Sequence, residues 1–97
     1  MIEISTNPSG QAFLARLFAK QFAENAQLSD LIARFHPRST DHPNRLFAMF
    51  DKEELNLIVD ALMDAFVLVG LQRDNEPNEL GRLIEDYVDI FGRPLVD

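Results

Sequence analysis

The segment 34–45, with the sequence RFHPRSTDHPNR, holds both histidines of the chain and three of its nine basic residues. His36 and His42, together with Asp41, are candidate metal ligands. Zinc requires three or four ligands, and two histidines separated by five residues and each followed by proline do not resemble a compact ligand set. Because Asp41 and His42 are neighbours in sequence, one ion would bind both side chains only with difficulty. We therefore expect no metal and no cofactor.

Three arginines of the same segment are candidate phosphate ligands. The guanidinium groups of Arg34, Arg38 and Arg45 have forked N–H donors that match phosphate oxygens. Three arginines in a chain of net charge −7 make a weak electrostatic footprint, and the segment has no aromatic platform on which bases could stack. We expect no direct nucleic-acid binding. Residues 36–44 are interpreted as a proline-stiffened connector whose polar residues cap the flanking helices.

The sequence contains no recognisable catalytic motif. It has no cysteine, its serines lie in no nucleophile elbow, and its glycines are isolated from one another. Asp60 and Asp64 are four residues apart and could act as paired carboxylates, but the Glu-x-x-His partner that di-metal bundles use is missing. We interpret this pair as the solvated edge of a buried helix, and we expect the protein not to be an enzyme.

Apolar residues at helical spacing predict an all-α fold. Asn7-Pro8 and Ser9 offer competing starts for the first helix. Asp51 followed by Glu54 forms an acidic variant of the capping box at the start of the helix 52–70. The predicted helices span about 9–25, 28–36, 43–50, 52–70 and 77–91. Residues 1–7 can form an extended arm, since Ile2 and Ile4 alternate with polar neighbours, but no second strand is signalled with which this arm would pair.

The length of 97 residues predicts a single helical domain, residues 1–97. We expect a compact bundle of four main helices plus one short helix, with the apolar helix 52–70 at its centre. That helix is apolar nearly all round, so it is either central to its own domain or partly covered by another chain, and a homodimer is slightly favoured over a monomer. Gly81 lies inside the predicted fourth helix. It marks either the close approach of another helix or a tolerated surface position.

A membrane-spanning or secreted protein is not indicated. The longest stretch poor in polar residues, 61–71, is interrupted by Asp64 and is much shorter than the ~20 residues of a membrane span. The first ten residues have neither the basic nor the apolar region of a signal peptide. We expect a cytoplasmic protein with no membrane association.

Negative charge is concentrated in the second half of the chain. Residues 1–50 contain five basic and four acidic residues, whereas residues 51–97 contain four basic and twelve acidic residues. On the predicted helices this charge forms an acidic face that comprises Glu53, Asp60, Asp64, Glu79, Glu85, Asp86 and Asp89. Such a face repels nucleic acid and attracts a basic protein surface, although it could also serve only to keep the protein soluble.

Two functions of different classes follow from these features. The first is a small acidic, non-enzymatic protein-binding domain that acts as an inhibitor or adaptor by docking this acidic face on a basic partner. Proteins that bind nucleic acid are one possible class of such partners, and the chain would bind them as a DNA mimic. However, carboxylates four residues apart on a helix are ~6 Å apart, whereas phosphates recur every ~3.4 Å along a DNA strand. The alternative is a homo-oligomerisation domain that assembles through the apolar surface of the helix 52–70.

Overall fold

The structure is a computed structural model that describes residues 1–38, 41, 43–70 and 78–96. Within these residues the chain forms four α-helices and a three-stranded antiparallel sheet. The elements are β1 (Ile2–Thr6), α1 (Pro8–Gln21), α2 (Ala26–Ile32), β2 (His36–Pro37), β3 (Leu46–Phe50), α3 (Lys52–Val69), α4 (Glu79–Gly92) and a 3₁₀ helix (Arg93–Leu95). The prediction of an all-α bundle is therefore wrong, because the protein has mixed α and β structure.

Two compact units, residues 1–51 and 52–97, divide these elements between them. The first unit contains the sheet, α1 and α2, and the second contains α3, α4 and the 3₁₀ helix. The assignment of the whole chain to one domain stays a prediction. The buried apolar side chains of the first unit are Ile4, Leu14, Leu17, Phe18, Leu28, Leu31, Ile32, Phe35, Leu46, Ala48 and Phe50.

The sheet pairs β1, at the start of the chain, with β3, which begins forty residues after β1 ends. β3 is the central strand, and β1 and β2 both pair with it in antiparallel register. The residues predicted as an extended arm therefore belong to a paired strand, and the predicted short helix 43–50 contains the middle strand instead. Leu46, Ala48 and Phe50 are buried at every second position, as expected for a strand with one face in a core. The sequence hides this alternation because Phe47 and Met49, between them, are also apolar.

Asparagine side chains start the helices of the first unit. The Asn7 side-chain oxygen accepts a hydrogen bond from the Gly10 backbone N–H at 2.7 Å, and proline follows Asn7 in the first turn, as predicted. The Asn25 side chain accepts in the same way from the Leu28 N–H at 3.4 Å. The second helix therefore begins at Ala26, earlier than the sequence predicted, and α1 ends at Gln21 rather than near residue 25.

In the second unit, α3 and α4 lie antiparallel. A Cβ atom built on Gly81 would lie 2.1 Å from the carbonyl oxygen of Gly70, so the end of α3 adjoins the start of α4. At the opposite end of the pair, a Cβ atom on Gly92 would lie 3.9 Å from Cγ2 of Val59. Val59 in α3 and Gly70, the residue after its end, are eleven residues apart, as are Gly81 and Gly92 in α4, which corresponds to ~16 Å along the axis in each case. The two helices therefore run side by side over this length, with Met63 level with Val88.

The close approach of Gly70 and Gly81 is reinforced by Asn78. Its side-chain oxygen accepts a hydrogen bond from the Gly81 N–H at 2.7 Å and thereby caps α4. Its side-chain amide donates to the Val69 carbonyl at 3.1 Å, and its backbone N–H donates to the Gly70 carbonyl at 2.9 Å. One residue thus satisfies backbone groups at the end of α3 and at the start of α4. Of the two interpretations of Gly81, close helix approach is confirmed.

Candidate functional site

The exposed stripe of α3 changes character along the helix. Its first half exposes Lys52, Glu53, Asn56 and Asp60, as a solvated surface helix does. Its second half exposes Met63, Asp64, Val67 and Leu68. The side chains of Met63, Val67 and Leu68 are 55%, 67% and 64% exposed, respectively, so most of their apolar surface faces solvent. The second half of α3 therefore presents an apolar surface that the described residues do not cover.

A groove lies between this half of α3 and the facing part of α4. It has a volume of about 670 Å³, and it is lined by Met63, Asp64, Phe66, Val67, Glu85, Val88 and Asp89. We call the groove that these seven residues line the acid-rimmed groove. Its volume corresponds to that of about twenty water molecules and lies within the usual range of ligand-binding clefts.

The floor of the groove is apolar, and carboxylates lie on both helices beside it. Asp64 belongs to α3, whereas Glu85 and Asp89 belong to α4 and are four residues apart, about 6 Å along the helix. All three side chains are exposed. None of them forms a salt bridge or hydrogen bond with another residue of the described ranges. The groove thus combines uncovered apolar surface with carboxylates that form no salt bridge with a described neighbour.

All seven residues of the predicted acidic face are exposed. The structure brings Asp64, Glu85 and Asp89 together at the groove. The others lie outside its lining: Asp60 is one turn before Asp64, Glu53 is in the first turn of α3, Glu79 is in the first turn of α4, and Asp86 follows Glu85. Their role in partner binding stays a prediction.

The apolar residues between the carboxylates are the part of the site that the sequence did not identify. Met63, Phe66, Val67 and Val88 were expected to belong to a continuous apolar helix surface or to a core. One indication of this surface was present in the sequence, because α3 has more apolar positions than a single buried stripe requires. Periodicity alone does not reveal which of these positions a neighbouring helix covers, so the groove emerges only once α4 is in place.

The segment 34–45 is used to hold the sheet together, as far as the structure describes it. The Arg34 guanidinium donates to the Met49 carbonyl at 3.2 Å and lies over the Phe50 ring at 5.6 Å. The Arg38 guanidinium lies 4.0 Å from the centre of the Phe47 ring and forms a salt bridge with Glu3. Two of the three candidate phosphate ligands therefore contact strands β1 and β3.

The candidate metal ligands are only partly described. His36 is exposed, and its Nδ1 lies 2.8 Å from the Arg34 carbonyl oxygen, close enough for a hydrogen bond. Asp41 is exposed as well, whereas His42 lies outside the described residues. Among residues 1–38, 41, 43–70 and 78–96 there is no group of three or more His, Asp or Glu side chains that could hold one metal ion. The expectation that the protein binds no metal stays a prediction.

None of the helices in the described part of the chain is long and apolar enough to cross a membrane. Comparison of the chain with models of protein families, with curated proteins and with solved structures gives no match.

Proposed function

We propose that this chain is a small, non-enzymatic protein-binding domain that docks the acidic face of α3 and α4 on a basic surface of another protein, and so acts as an inhibitor or adaptor. The observation that carries this proposal is the acid-rimmed groove, in which exposed apolar side chains lie between carboxylates on two helices. A solvated face that serves only solubility does not require uncovered apolar residues between its charges.

The apolar floor supplies the affinity in this proposal. Full burial of a valine or methionine side chain stabilises a complex by about 1.5–3 kcal/mol relative to an exposed one. Met63 and Val67, at 55% and 67% exposure, have more than half of that gain still available. The helix backbone beneath them is already ordered, so binding does not have to order it.

In this proposal the carboxylates determine which partners bind, and they increase the rate of association. Complementary charge accelerates encounter and disfavours partners of the wrong sign. Residues 51–97 carry twelve acidic and four basic residues, so the long-range field of this half of the chain has the same sign as the groove. A basic protein surface is therefore attracted at a distance and held at the groove, whereas nucleic acid is repelled. Proteins that normally bind nucleic acid are one such partner class.

Two charge-reversal variants test the proposal. Asp64→Lys with Asp89→Lys changes the groove, and Glu24→Lys with Asp30→Lys is the matched control, because it makes the same change in net charge at exposed positions of the first unit. Proteins retained from a native-host extract by the tagged wild-type chain are identified, and their affinities for all three chains are measured at two salt concentrations. We expect the groove variant to bind at least about tenfold more weakly and the control within about twofold of wild type. Equal affinity for all three chains, at both salt concentrations, would contradict the proposal.

A second candidate function is homo-oligomerisation through the apolar surface of α3, and the exposure of Met63, Val67 and Leu68 favours it. In a two-fold dimer the same surface of both copies meets, which brings the carboxylates of one groove against those of the other. Like charges across an interface cost several kcal/mol, so this groove suits a basic partner better than a second copy. Light scattering at tens of micromolar distinguishes the two, since a monomer mass excludes the second candidate.

A further inference from the structure

We propose that the element which the acid-rimmed groove accepts is a single amphipathic α-helix, with apolar residues at i and i+4 and with Lys or Arg on both sides of that stripe. This inference rests on the proposed function and specifies the part of the partner that enters the groove. Three features of the groove support a helical partner: its shape, the spacing of its apolar residues and the placement of its charges.

The shape follows from the antiparallel pair. Two helices that run side by side leave a channel between their ridges, parallel to both axes, and a third helix fits such a channel by packing its own ridge into it. An extended peptide would require unpaired backbone donors and acceptors, as at the edge of a sheet. Residues 63–67 and 85–89 lie inside helices, where the backbone groups are paired along the helix itself. The groove therefore offers side-chain contacts but no backbone pairing, which favours a helical guest.

The apolar spacing matches a helix as well. Met63 and Val67 are four residues apart on one face of α3 and therefore about 6 Å apart along it. Val88 lies across the groove at the level of Met63. A guest helix presents its own side chains at i and i+4 with the same 6 Å repeat, so two of its apolar residues can occupy successive positions along the floor. The flexible Met63 side chain can adapt to apolar residues of different shape.

The charges of the groove determine which residues should lie on either side of the apolar stripe of the bound helix. Asp64 belongs to α3, on one side of the groove, and Glu85 and Asp89 belong to α4, on the other. A guest helix in the groove would therefore face carboxylates on both sides of its apolar stripe. Glu85 and Asp89 are one helical turn apart, which is also the separation of basic residues at i and i+4 on the guest. An acidic or neutral amphipathic helix fits the floor equally well but not the rim.

Three synthetic peptides of about 18 residues, or five helical turns, test the inference with the full chain. The first is built of leucine and lysine with leucine at helical spacing. The second has the same composition in an order that abolishes the apolar stripe, and the third replaces lysine by glutamate. Binding is measured by fluorescence anisotropy at about 0.15 M salt, and circular dichroism reports helix formation in the bound peptide. We expect the first peptide to bind as a helix, the second at least about tenfold more weakly, and the third not at all.

A matched pair of substitutions locates the peptide. Val67→Gln changes the groove floor, whereas Leu68→Gln changes an equally exposed apolar neighbour on the same helix that does not line the groove. Both side chains are more than 60% exposed, so neither change removes a core contact. We expect Val67→Gln to weaken binding of the leucine–lysine helix by about tenfold and Leu68→Gln to leave it within about twofold of wild type.

The outcomes separate this inference from the proposed function. If the ordered and reordered basic peptides bind equally well and both depend on Asp64 and Asp89, the inference is wrong and the proposed function stands. Equal loss in Val67→Gln and Leu68→Gln also overturns it, because the helix would then bind elsewhere on α3. If no basic peptide binds and the partners from the extract do not depend on Asp64 and Asp89 either, both the inference and the proposed function are wrong.

Discussion

Replacement of Gly81 by alanine should destabilise the second unit, although alanine is the better helix former. In an unobstructed helix the change stabilises by about 1 kcal/mol. At Gly81 the new Cβ atom would lie 2.1 Å from the Gly70 carbonyl oxygen and 2.9 Å from its carbonyl carbon. Both are backbone atoms, so no side-chain rotation relieves the contact, and α3 and α4 must separate by at least roughly 1.3 Å to reach ordinary van der Waals distance.

The magnitude follows from opposing contributions. Overpacking of a close contact costs about 1–3 kcal/mol. Separation of the helices also strains the hydrogen bonds of Asn78, which join the Gly81 N–H to the end of α3, and a lost cap costs about 1 kcal/mol. After subtraction of the helix-propensity gain, we expect a net loss of roughly 2 kcal/mol in the free energy of unfolding. For a chain of this size that loss lowers the thermal midpoint by about 10 °C.

Gly92→Ala is the matched control, because its Cβ atom would meet only Val59 Cγ2, at an ordinary distance of 3.9 Å. Its backbone has φ −85° and ψ −24°, which alanine adopts without strain. We expect this variant to be as stable as wild type or more stable, by about 0.5 kcal/mol. Urea denaturation followed by circular dichroism measures both changes. If Gly81→Ala raises the midpoint as Gly92→Ala does, the close approach of α3 and α4 is refuted.

Three further changes test other contacts. Asn78→Ala should lower the free energy of unfolding by about 1 kcal/mol or more, because it removes both the hydrogen bond from the Gly81 N–H and the one to the Val69 carbonyl; an unchanged urea midpoint would show that the cap does not matter. Arg38→Ala should cost no more than about 1 kcal/mol, because the guanidinium that lies over Phe47 is largely exposed and its salt bridge is solvated; a larger thermal shift would mean that the sheet depends on it. Added zinc should leave the thermal midpoint of wild type and of His36→Ala unchanged, whereas a rise in wild type alone would reveal a metal site.

The helices could be predicted from the sequence because their signals are local. The Asn7-Pro8 pair starts α1 where the capping preferences place it, and α3 spans Lys52–Val69 against a predicted 52–70. A cap, a proline or an apolar stripe is contained within one or two helical turns, so no knowledge of the remaining chain is needed. The errors at the end of α1 and the start of α2 lie around Asn25, whose side chain caps α2 three residues before the predicted start at residue 28.

The sheet could not be predicted because its signals are distant and concealed. β1 shows a short alternation, but its partner β3 begins forty residues later, and no local pattern specifies that pairing. β3 is apolar at all five positions, so neither a period of two nor a period of 3.6 stands out. Of the two apolar residues on its outer face, Met49 is exposed and Phe47 is covered by the Arg38 guanidinium. Arg38, a basic residue of the connector, thus covers Phe47 as a second apolar layer otherwise would.

The exposed carboxylates of the candidate site could be predicted from the sequence, but the groove between the two helices could not. Acidic residues on a predicted helix face are expected at the surface on grounds of solvation alone, and all seven are exposed. Their grouping depends on the relative placement of α3 and α4, which is set by the contact of Gly70 with Gly81. The sequence revealed Gly81 as an anomaly within a helix but did not identify the glycine that it meets.

In the proposed function, the carboxylates of the groove have two effects: they oppose contact between two copies of the chain, and they attract a basic partner. An exposed apolar patch tends to associate with a second copy of itself, and Met63 and Val67 form such a patch. Asp64, Glu85 and Asp89 surround it with charge of one sign, which opposes a two-fold contact between copies and attracts a basic helix. In the proposed function, the apolar residues are thereby kept accessible to a partner of opposite charge, and the negative charge and the uncovered apolar surface of α3 act as two parts of one binding site.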